Sequence, residues 1–395
     1  MKTMRQNTLC NRPVRPSLSQ LAAILLSVTL AAAEPHSATP PAHSLPQPGR
    51  KFVFPRDHGS HPGFDIEWWY VTGHLLSPTQ TPFGFQATFF RRSLDLPDSG
   101  RSTALPAFGN SQLYLAHMAL VDIKTGDFLY QERLNRDGWD AGSATNTLDV
   151  HNGNWSLRIV PPQDGPGAGE RFLLRGTVGA DQSFALTLQP QKAMVVFGTN
   201  GVSRKAADPT AASHYLTYSR LAVSGNLTRQ GATQTVSGQA WMDHEFSSSQ
   251  LGAGQVGWDW LCLQFFEGRE LMAYRLRRSD GSTDPFSTVA WIDTDCRVRQ
   301  TGPDQFRWTV LEHWISPKTR TKYPALIRLD AVNPDNGRTN CFLIQPLVAD
   351  QELAARVGGV SYWEGACRVL DEHKKEIGRA YLELTGYGES LKGKF

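Results

Sequence analysis

The sequence lacks the short motifs that identify several common enzyme classes. Its 395 residues contain no nucleophile elbow, no Walker phosphate-binding loop and no zinc-protease motif. Charge is also sparse, since Asp, Glu, Lys and Arg make up 19% of the chain against 40% hydrophobic residues. Beyond the N-terminus, no apolar run reaches the roughly 18 residues of a transmembrane helix. These absences exclude a disordered chain and predict a globular protein with no transmembrane segment in its mature part.

Cysteines are few and widely spaced. Apart from Cys10, the four are Cys262, Cys296, Cys341 and Cys367, and no CxxC pattern occurs among them. Their spacing therefore predicts neither a zinc ribbon nor a redox motif. In an exported protein they could form disulfides in three pairings, whereas Cys262, inside an apolar run, could equally be a buried free thiol.

The first 33 residues have the layout of a secretory signal peptide. Four basic residues and no acidic ones precede or flank the start of an apolar run at 21–30, and three alanines then lead to Glu34. We therefore expect cleavage near Glu34, a Pro-rich linker over residues 34–50, and a secreted or periplasmic mature protein.

Removing this leader leaves 36 basic residues against 37 acidic ones. Such a balance lacks the concentrated basic face that nucleic-acid binding needs, so no nucleic-acid partner is predicted. The pair Arg91-Arg92 and the run Arg275–Arg278 are interpreted as solvated strand ends.

From Lys51 onward, the pattern is typical of an all-β protein. Short runs rich in aromatic and β-branched residues alternate with Gly, Pro, Asn and Asp turns, and helical periodicity is confined to a weak turn at Asp350–Arg356. Two segments, 67–93 and 258–279, share a Trp-rich strand, a turn and a second strand that ends near Arg-Arg-Ser. This repeat predicts two copies of one architecture, with domains at 51–246 and 247–395.

Polar residues inside aromatic strands are the candidates for chemistry, and the densest set is Gln239–Glu245. Strand alternation places Trp241, Asp243 and Glu245 on one face, with Met242 and His244 on the other. Hydrophobic counting favours burial of the second face and leaves Asp243 in solvent. A barrel that encloses a ligand cavity would instead bury Asp243 and raise its pKa. Periodicity alone does not choose between these two interpretations.

Histidines elsewhere carry weaker signals. His58 and His61 share one loop, which is a weak metal-binding pattern and is explained more simply by a hydrogen-bonded turn. His117 stands in an apolar strand, where a core histidine is a simpler interpretation than a catalytic one. The sequence therefore predicts neither a metal site nor a cofactor.

Residues 54–74, FPRDHGSHPGFDIEWWYVTGH, resemble the opening of AttH-like proteins, which belong with the carotenoid 1,2-hydratase (hydroxyneurosporene synthase) family. The similarity continues through 214–221, 240–246, 257–260, 269–277, 362–365 and 381–387, and thus covers nearly the whole mature chain. The resemblance implies two lipocalin-like β-barrel domains in tandem, in agreement with the internal repeat.

The resemblance also implies a reaction, the addition of water to an alkene without a cofactor. Asp243 matches the family's acid, Trp241 replaces a tyrosine, and His214 corresponds to an upstream histidine. Leu216 stands where the hydratases have tryptophan, which argues against a carotenoid substrate. Our hypothesis is a secreted hydratase-type enzyme acting on an apolar isoprenoid or lipid. Asp243 would be its general acid, Trp241 would stabilise the cation and His214 would position water.

Further ligand contacts are expected from His117, Trp69, Tyr218 and Glu245. One alternative hypothesis is a non-catalytic periplasmic carrier of lipids, because lipocalin-type barrels often only hold their ligand. A second alternative is a secreted hydrolase that uses a metal held by His58, His61 or His244.

Overall fold

The computed structural model describes residues 43–94, 112–160, 169–355 and 360–391, so the predicted signal peptide lies outside the described residues. Within these ranges the only helical elements are two 3₁₀ turns, Arg56–His58 and Pro303–Gln305. The prediction of an all-β fold is confirmed. No helix in the described ranges has the length and apolarity needed to cross a bilayer.

Thirteen strands form the first sheet. They are Ile66–Leu76 (β1), Pro82–Ser93 (β2), Gln112–Asp122 (β3), Asp127–Arg136 (β4), Ala141–Ser143 (β5), Asp149–Asn152 (β6), Trp155–Val160 (β7), Arg171–Val178 (β8), Gln182–Pro190 (β9), Val195–Phe197 (β10), Ser203–Arg204 (β11), Ala212–Arg229 (β12) and Ala232–Ser247 (β13). The order is β4-β3-β2-β1-β13-β12-β9-β8-β7-β6-β5, and β10 and β11 both pair with β12. Because its two end strands, β4 and β5, contact each other, the sheet curls into a nearly closed barrel.

Ten strands form the second sheet, a half-barrel. They are Gln255–Phe265 (β14), Glu270–Arg278 (β15), Thr288–Ile292 (β16), Val298–Thr301 (β17), Phe306–Ile315 (β18), Lys322–Val332 (β19), Thr339–Pro346 (β20), Glu352–Leu353 (β21), Tyr362–Leu370 (β22) and Glu376–Leu384 (β23). The order is β17-β16-β15-β14-β23-β22-β20-β19-β18, with β21 paired to β22. The helical turn predicted at Asp350–Arg356 is wrong, because its described part contains β21, which the register holds against β22.

The central strands are buried on both faces. In β1, Trp69 and Val71 belong to the core of the first barrel, while Tyr70 belongs to a separate apolar cluster. That cluster joins residues of the first sheet, such as Tyr215 and Trp241, to residues of the second sheet. Because these strands are buried on both faces, their sequences are nearly continuous apolar runs and do not alternate strictly between apolar and polar residues.

Polar groups also tie the two sheets together. Glu270 of β15 is fully buried and accepts hydrogen bonds from Lys192 Nζ and Arg220 Nε, both at 2.6 Å. Gly84 of β2 lies so close to β22 that an added Cβ would sit 2.7 Å from the Cβ of Ala366. A side chain there would therefore push the sheets apart.

Backbone hydrogen bonds hold the described part of the predicted linker. In the described part of the linker, the Ser44 N–H donates to Gly63 O at 2.7 Å and the Gly49 N–H to Asn200 O at 2.9 Å, so this segment packs against the first sheet.

The four cysteines from Cys262 to Cys367 are all free thiols. Of the two alternatives that the sequence left open, the structure thus shows the free thiol.

Candidate functional site

A cavity of about 290 Å³ lies where the two sheets face each other. This volume is close to the lower limit of about 300–1,000 Å³ typical of small-molecule sites. Its walls are largely aromatic: Trp68, Tyr70, Phe90, Tyr215, Trp258, Trp260, Tyr274 and Tyr362. Four carboxyl groups also line it: Asp243, Glu245, Glu364 and Glu383. The cavity is therefore an apolar space with several acidic groups at its surface.

Strand register explains why Asp243 faces this cavity. Asp243 pairs directly with Tyr70 of β1 and with Thr217 of β12. Directly paired residues project from the same face of a sheet, which here faces the second sheet. The neighbouring residue Met242 instead lies in the core of the first barrel. The interpretation of Asp243 as a solvent-facing residue is therefore wrong, since its exposed fraction is 3%.

Asp243 accepts three hydrogen bonds from uncharged donors. Thr217 Oγ1 and Trp241 Nε1 donate to Oδ1 at 2.6 and 2.7 Å, and the Tyr215 hydroxyl donates to Oδ2 at 2.8 Å. Trp260 Nε1 in turn donates to the Tyr215 hydroxyl at 2.8 Å. Burial raises the pKa of Asp243 to about 7, although the three donors act in the opposite direction. Near neutral pH, Asp243 can therefore hold a proton and release it within the cavity.

Glu245 lies one pleat further along the same face and has a charged partner. Lys205 Nζ lies 3.1 Å from Glu245 Oε1, and both side chains are buried. The ammonium group also lies over the rings of Tyr215 and Tyr274, at 5.0 and 4.4 Å from their centroids. Burial lowers the pKa of Lys205, but the charge and hydrogen bond of Glu245 together with the charges of Tyr274 and Asp243 raise it above its usual range. This pair is therefore a neutralised ion pair in the cavity wall.

Glu364 and Glu383 bring two further carboxyls from the second sheet. They face each other as a cross-strand pair of β22 and β23, and the hydroxyl of Tyr70 donates to Glu364 Oε1. Burial and the charge of Glu383 raise the pKa of Glu364 well above its usual range. Burial likewise raises the pKa of Glu383 to about 7. The cavity therefore holds carboxyl groups on both of its walls that can carry protons near neutral pH.

His117 also lines the cavity. Its Nδ1 lies 2.6 Å from the hydroxyl of Tyr362, and its Nε2 is buried without a partner among the described residues. Burial lowers the pKa of His117 to about 4, so the ring is neutral at pH 7. His117 can therefore contribute a hydrogen bond but no positive charge.

The other predicted site residues lie on the opposite faces of their strands. His214 precedes Tyr215 on β12, so it projects away from the cavity, and its Nδ1 lies 2.7 Å from Gly201 O. Tyr218 donates to Glu170 Oε2 at 2.6 Å, and Trp69 donates to His58 O at 2.9 Å. The structure thus brings Asp243, Trp241, Glu245 and His117 together and separates the remaining three from them.

A second polar cluster surrounds Glu67 inside the first barrel. Its Oε1 lies 2.8 Å from both His61 Nδ1 and His244 Nε2, while Oε2 accepts from the His61 N–H and from Arg91 Nε. These two imidazoles hold the pKa of Glu67 well below its usual range despite complete burial. Arg91 is itself 1% exposed, so its interpretation as a solvated strand end is wrong.

The same three groups are the ones that could hold a metal ion. His61, Glu67 and His244 place one ligand atom each within 4.8 Å of one another. However, both oxygens of Glu67 are already bonded by four donors, which satisfies an ionised carboxylate without a cation. His244 Nδ1 also has no partner among the described residues, whereas metal-bound imidazoles usually donate through their second nitrogen. The geometry therefore favours a hydrogen-bonded cluster.

Six residues that line the cavity were missed from the sequence, namely Tyr70, Lys205, Tyr215, Trp260, Glu364 and Glu383, and so was one donor to Asp243, Thr217. A usable signal existed for the two glutamates. In the segments Tyr362–Gly365 and Tyr381–Tyr387, a single carboxyl interrupts a strand that is otherwise aromatic and apolar. No comparable signal marks Lys205, because its place in the cavity depends on tertiary packing.

Comparisons with known proteins agree with this architecture. The sequence model of the AttH-like family matches residues 45–387. A crystal structure of an AttH protein from Nitrosomonas europaea is 35% identical, with a TM-score of 0.75 over 87% of this chain and 99% of that one. Kievitone hydratase from Nectria haematococca is 14% identical, with a TM-score of 0.61 over 88% and 98% of the two chains. No curated protein matches the chain significantly. The expected fold, two lipocalin-like domains in tandem, is confirmed.

Proposed function

The chain belongs to the AttH-like family, and we propose that it is a hydratase that adds water to an alkene of an apolar isoprenoid or lipid substrate without a cofactor. The observation that carries this proposal is Asp243, a carboxyl with a pKa near 7 that is buried at the wall of an aromatic cavity. The name of one structural neighbour, kievitone hydratase, agrees with this reaction class.

In the proposed reaction, protonated Asp243 gives its proton to one alkene carbon. The two π electrons form the new C–H bond and leave a carbocation on the more substituted carbon. A lone pair of water then forms the C–O bond, and the resulting oxonium group loses a proton that returns to the Asp243 carboxylate, directly or through another carboxyl of the cavity. The general acid is thereby restored, and no oxidant or reductant is needed.

Aromatic side chains would stabilise the cation during this reaction. Trp260, Trp258 and Trp68 line the cavity, and a cation over an indole face is stabilised by about 0.5–2 kcal/mol. Trp241, predicted for this role, donates its Nε1–H to Asp243. We therefore assign Trp241 to orienting the acid and the three cavity tryptophans to stabilising the cation.

Water activation is assigned to the carboxyl groups of the cavity, because His214 projects from the opposite face of β12. The proposal keeps the expectation of export, with the protein acting in the periplasm or outside the cell. N-terminal sequencing of the exported protein tests that part, and a chain that still begins at Met1 would contradict it.

Substitution of Asp243 tests the proposed reaction. The purified protein is incubated with geraniol, farnesol and squalene in water enriched in heavy oxygen, and tertiary alcohols are analysed by mass spectrometry. We expect labelled product from the wild type and at least about 100-fold less from Asp243→Asn, because Asn has no acidic proton to transfer. Asp280→Asn, at an exposed turn, should leave the rate unchanged.

Two results would contradict the hydratase. One is an unchanged rate in Asp243→Asn, measured on a substrate that the wild type converts. The other is a wild type that converts none of these alkenes but retains a lipid through purification, which would favour the carrier.

A further inference from the structure

The carboxyl groups of the cavity outnumber its positive charges. Of the two basic lining residues described, Lys205 is bound to Glu245, and Arg92 lies 3.8 Å from Asp65. The hydrogen-bond donors to Asp243 and to Glu364 are all uncharged. The cavity therefore lacks a positive counterpart for these acids.

The protonation of the pair Glu364–Glu383 should depend most directly on whether a cation lies in the cavity. The two residues are directly opposed across β22 and β23, where Cβ atoms lie about 4.5–5.5 Å apart. Two carboxylates so close in an apolar environment cannot both ionise at low cost, so the pair retains a proton unless a cation arrives. Other titratable groups facing the pair are Tyr70, Tyr362, Tyr381, Cys262, Asp243 and Glu245.

None of these surrounding groups supplies positive charge. Among the described residues that line the cavity, the one histidine is His117. Its ring is neutral at pH 7 because burial lowers its pKa to about 4. Its Nε2 is nevertheless a buried polar atom without a partner among the described residues, in a side chain that lines the cavity. This atom can form a hydrogen bond with water or with a polar group, but not with a quaternary ammonium group, so it does not itself select the ligand.

The protein contains its own example of cation recognition in this wall. The Lys205 ammonium lies over two tyrosine rings and against a carboxylate, which is the arrangement found where quaternary ammonium ligands are bound. On the remaining walls, Trp258, Trp260 and Tyr70 lie beside Glu364 and Glu383 in the same combination of aromatic rings and acids. That part of the wall has no cation among the described residues.

We propose that the cavity binds a lipophilic cation, an apolar chain carrying a quaternary ammonium group, and that Glu364 and Glu383 ionise to balance its charge. This inference rests on the proposed function, because the carbocation intermediate would occupy the same place as the ammonium group. Binding of a cation favours the ionised carboxyls, so protons are released to solvent.

Calorimetry with three probes of similar chain length tests the proposal: octyltrimethylammonium, nonanol and octyl sulfate. We expect the full-length protein at pH 7 to bind octyltrimethylammonium about 10- to 100-fold more tightly than nonanol, because the ammonium group gains cation–π and Coulombic contacts that the alcohol lacks. Octyl sulfate should bind more weakly than nonanol. Because the probe carries a permanent charge, heats measured in two buffers of different ionisation enthalpy should report release of about one proton per ligand.

A conservative variant and a matched control sharpen this measurement. Glu364→Gln should lose about tenfold in affinity for the ammonium probe, release less of the proton and keep its affinity for nonanol. Glu372→Gln, in the exposed turn of the same β22–β23 hairpin, should behave as the wild type. Circular dichroism of each variant verifies that it is folded, and Glu383→Gln serves as a second variant of the pair.

Three results would overturn the proposal: no binding of octyltrimethylammonium to the wild type, equal affinity for the ammonium and alcohol probes, or binding without proton release. Failure here is distinct from failure of the hydratase. If Asp243→Asn abolishes hydration while no ammonium preference exists, only the cation inference fails. If the preference exists but no alkene is hydrated, only the reaction fails.

Discussion

Asp243 and Glu67 are two buried carboxyls on the paired strands β13 and β1, and their pKa values shift in opposite directions because their partners differ. Asp243 lies among a hydroxyl, a phenol and an indole, and its pKa rises to about 7. Glu67 is contacted by Arg91 and two imidazoles, and its pKa falls well below the usual range. Burial is nearly equal at the two sites. The pKa values of these two carboxyls therefore differ with the kind of partner, which is an uncharged donor at Asp243 and an imidazole or guanidinium at Glu67.

The contact between an arginine and a buried carboxyl recurs across the internal repeat, although burial raises the pKa of Asp259 despite its arginine partners. Asp259 of β14 is buried and accepts from Arg277 Nε at 2.9 Å, as Glu67 of β1 accepts from Arg91 Nε at 3.0 Å. In both sheets, the first arginine of the Arg-Arg-Ser segment neutralises an acid of the preceding strand. Each of these two acids has an arginine partner, whereas the acids of the central cavity have no such arginine.

The largest expected effect on stability comes from Glu67→Gln. An amide would leave the Arg91 guanidinium buried without its counter-charge, and loss of one partner of a buried pair costs about 3–5 kcal/mol. Urea denaturation at pH 7 measures this loss. Glu267→Gln, whose side chain is 53% exposed, is the control and should change the free energy of unfolding by less than about 0.5 kcal/mol. A similarly small loss in Glu67→Gln would show that the cluster does not hold an ionised carboxylate.

The pH dependence of stability should have opposite signs at the two sites. The folded-state pKa of Asp243 is raised from 3.8 to about 7, so its neutral form stabilises the fold at low pH, and that contribution is lost as the pH rises from about 4 to about 7. The pKa of Glu67 is depressed from 4.5, so its contribution is present above about pH 4.5 and is lost as the pH falls further.

Urea denaturation at a series of pH values tests the opposite pH dependence of stability expected at Asp243 and Glu67. The stability difference between the wild type and Asp243→Asn should decrease toward neutral pH, by up to about 1.4 kcal/mol per pH unit. The difference between the wild type and Glu67→Gln should decrease toward acid pH. If the two stability differences changed in the same direction with pH, the opposite pKa shifts assigned to Asp243 and Glu67 would be wrong.

The smallest expected effect comes from Tyr215→Phe. Loss of one donor to Asp243 Oδ2 removes a contact that lowers the pKa of this carboxyl, so the pKa should rise further. A hydrogen bond worth about 0.5–1.5 kcal/mol corresponds to roughly 0.4–1 pH unit. The alkaline limb of the hydration rate should therefore move to higher pH by that amount. A move to lower pH would mean that Tyr215 does not stabilise the ionised form.

Much of the fold could be predicted from the sequence, because strand alternation and turn residues act locally. The repeat, the all-β class and the importance of β13 follow from such patterns. The orientation of β13 could not be predicted, since Met242 packs in the barrel core while Trp241 packs between the sheets. A pattern of two buried faces gives no indication of which face adjoins the cavity.

The residues around Asp243 depend on register, which the sequence does not specify. On β12, Tyr215 and Thr217 share the cavity face with Asp243, while His214 falls on the other side by a single position. Glu364 comes from a strand more than 100 residues further along the chain and meets Tyr70 only after the sheets pack. Arg91 looked like a surface residue because its partner, Glu67, is recognised only once β1 and β2 are paired.

The proposed acid catalysis is tested most directly by measuring the pKa of Asp243. Carboxyl carbons labelled in Asp and Glu can be followed by NMR through a pH titration, with Asp243→Asn and Glu67→Gln used to assign the two resonances. We expect a midpoint near pH 7 for Asp243, whereas Glu67 should remain ionised until the pH falls well below 4.5. A midpoint for Asp243 at or below about 4, its ordinary range, would contradict the protonated acid on which the proposed reaction depends.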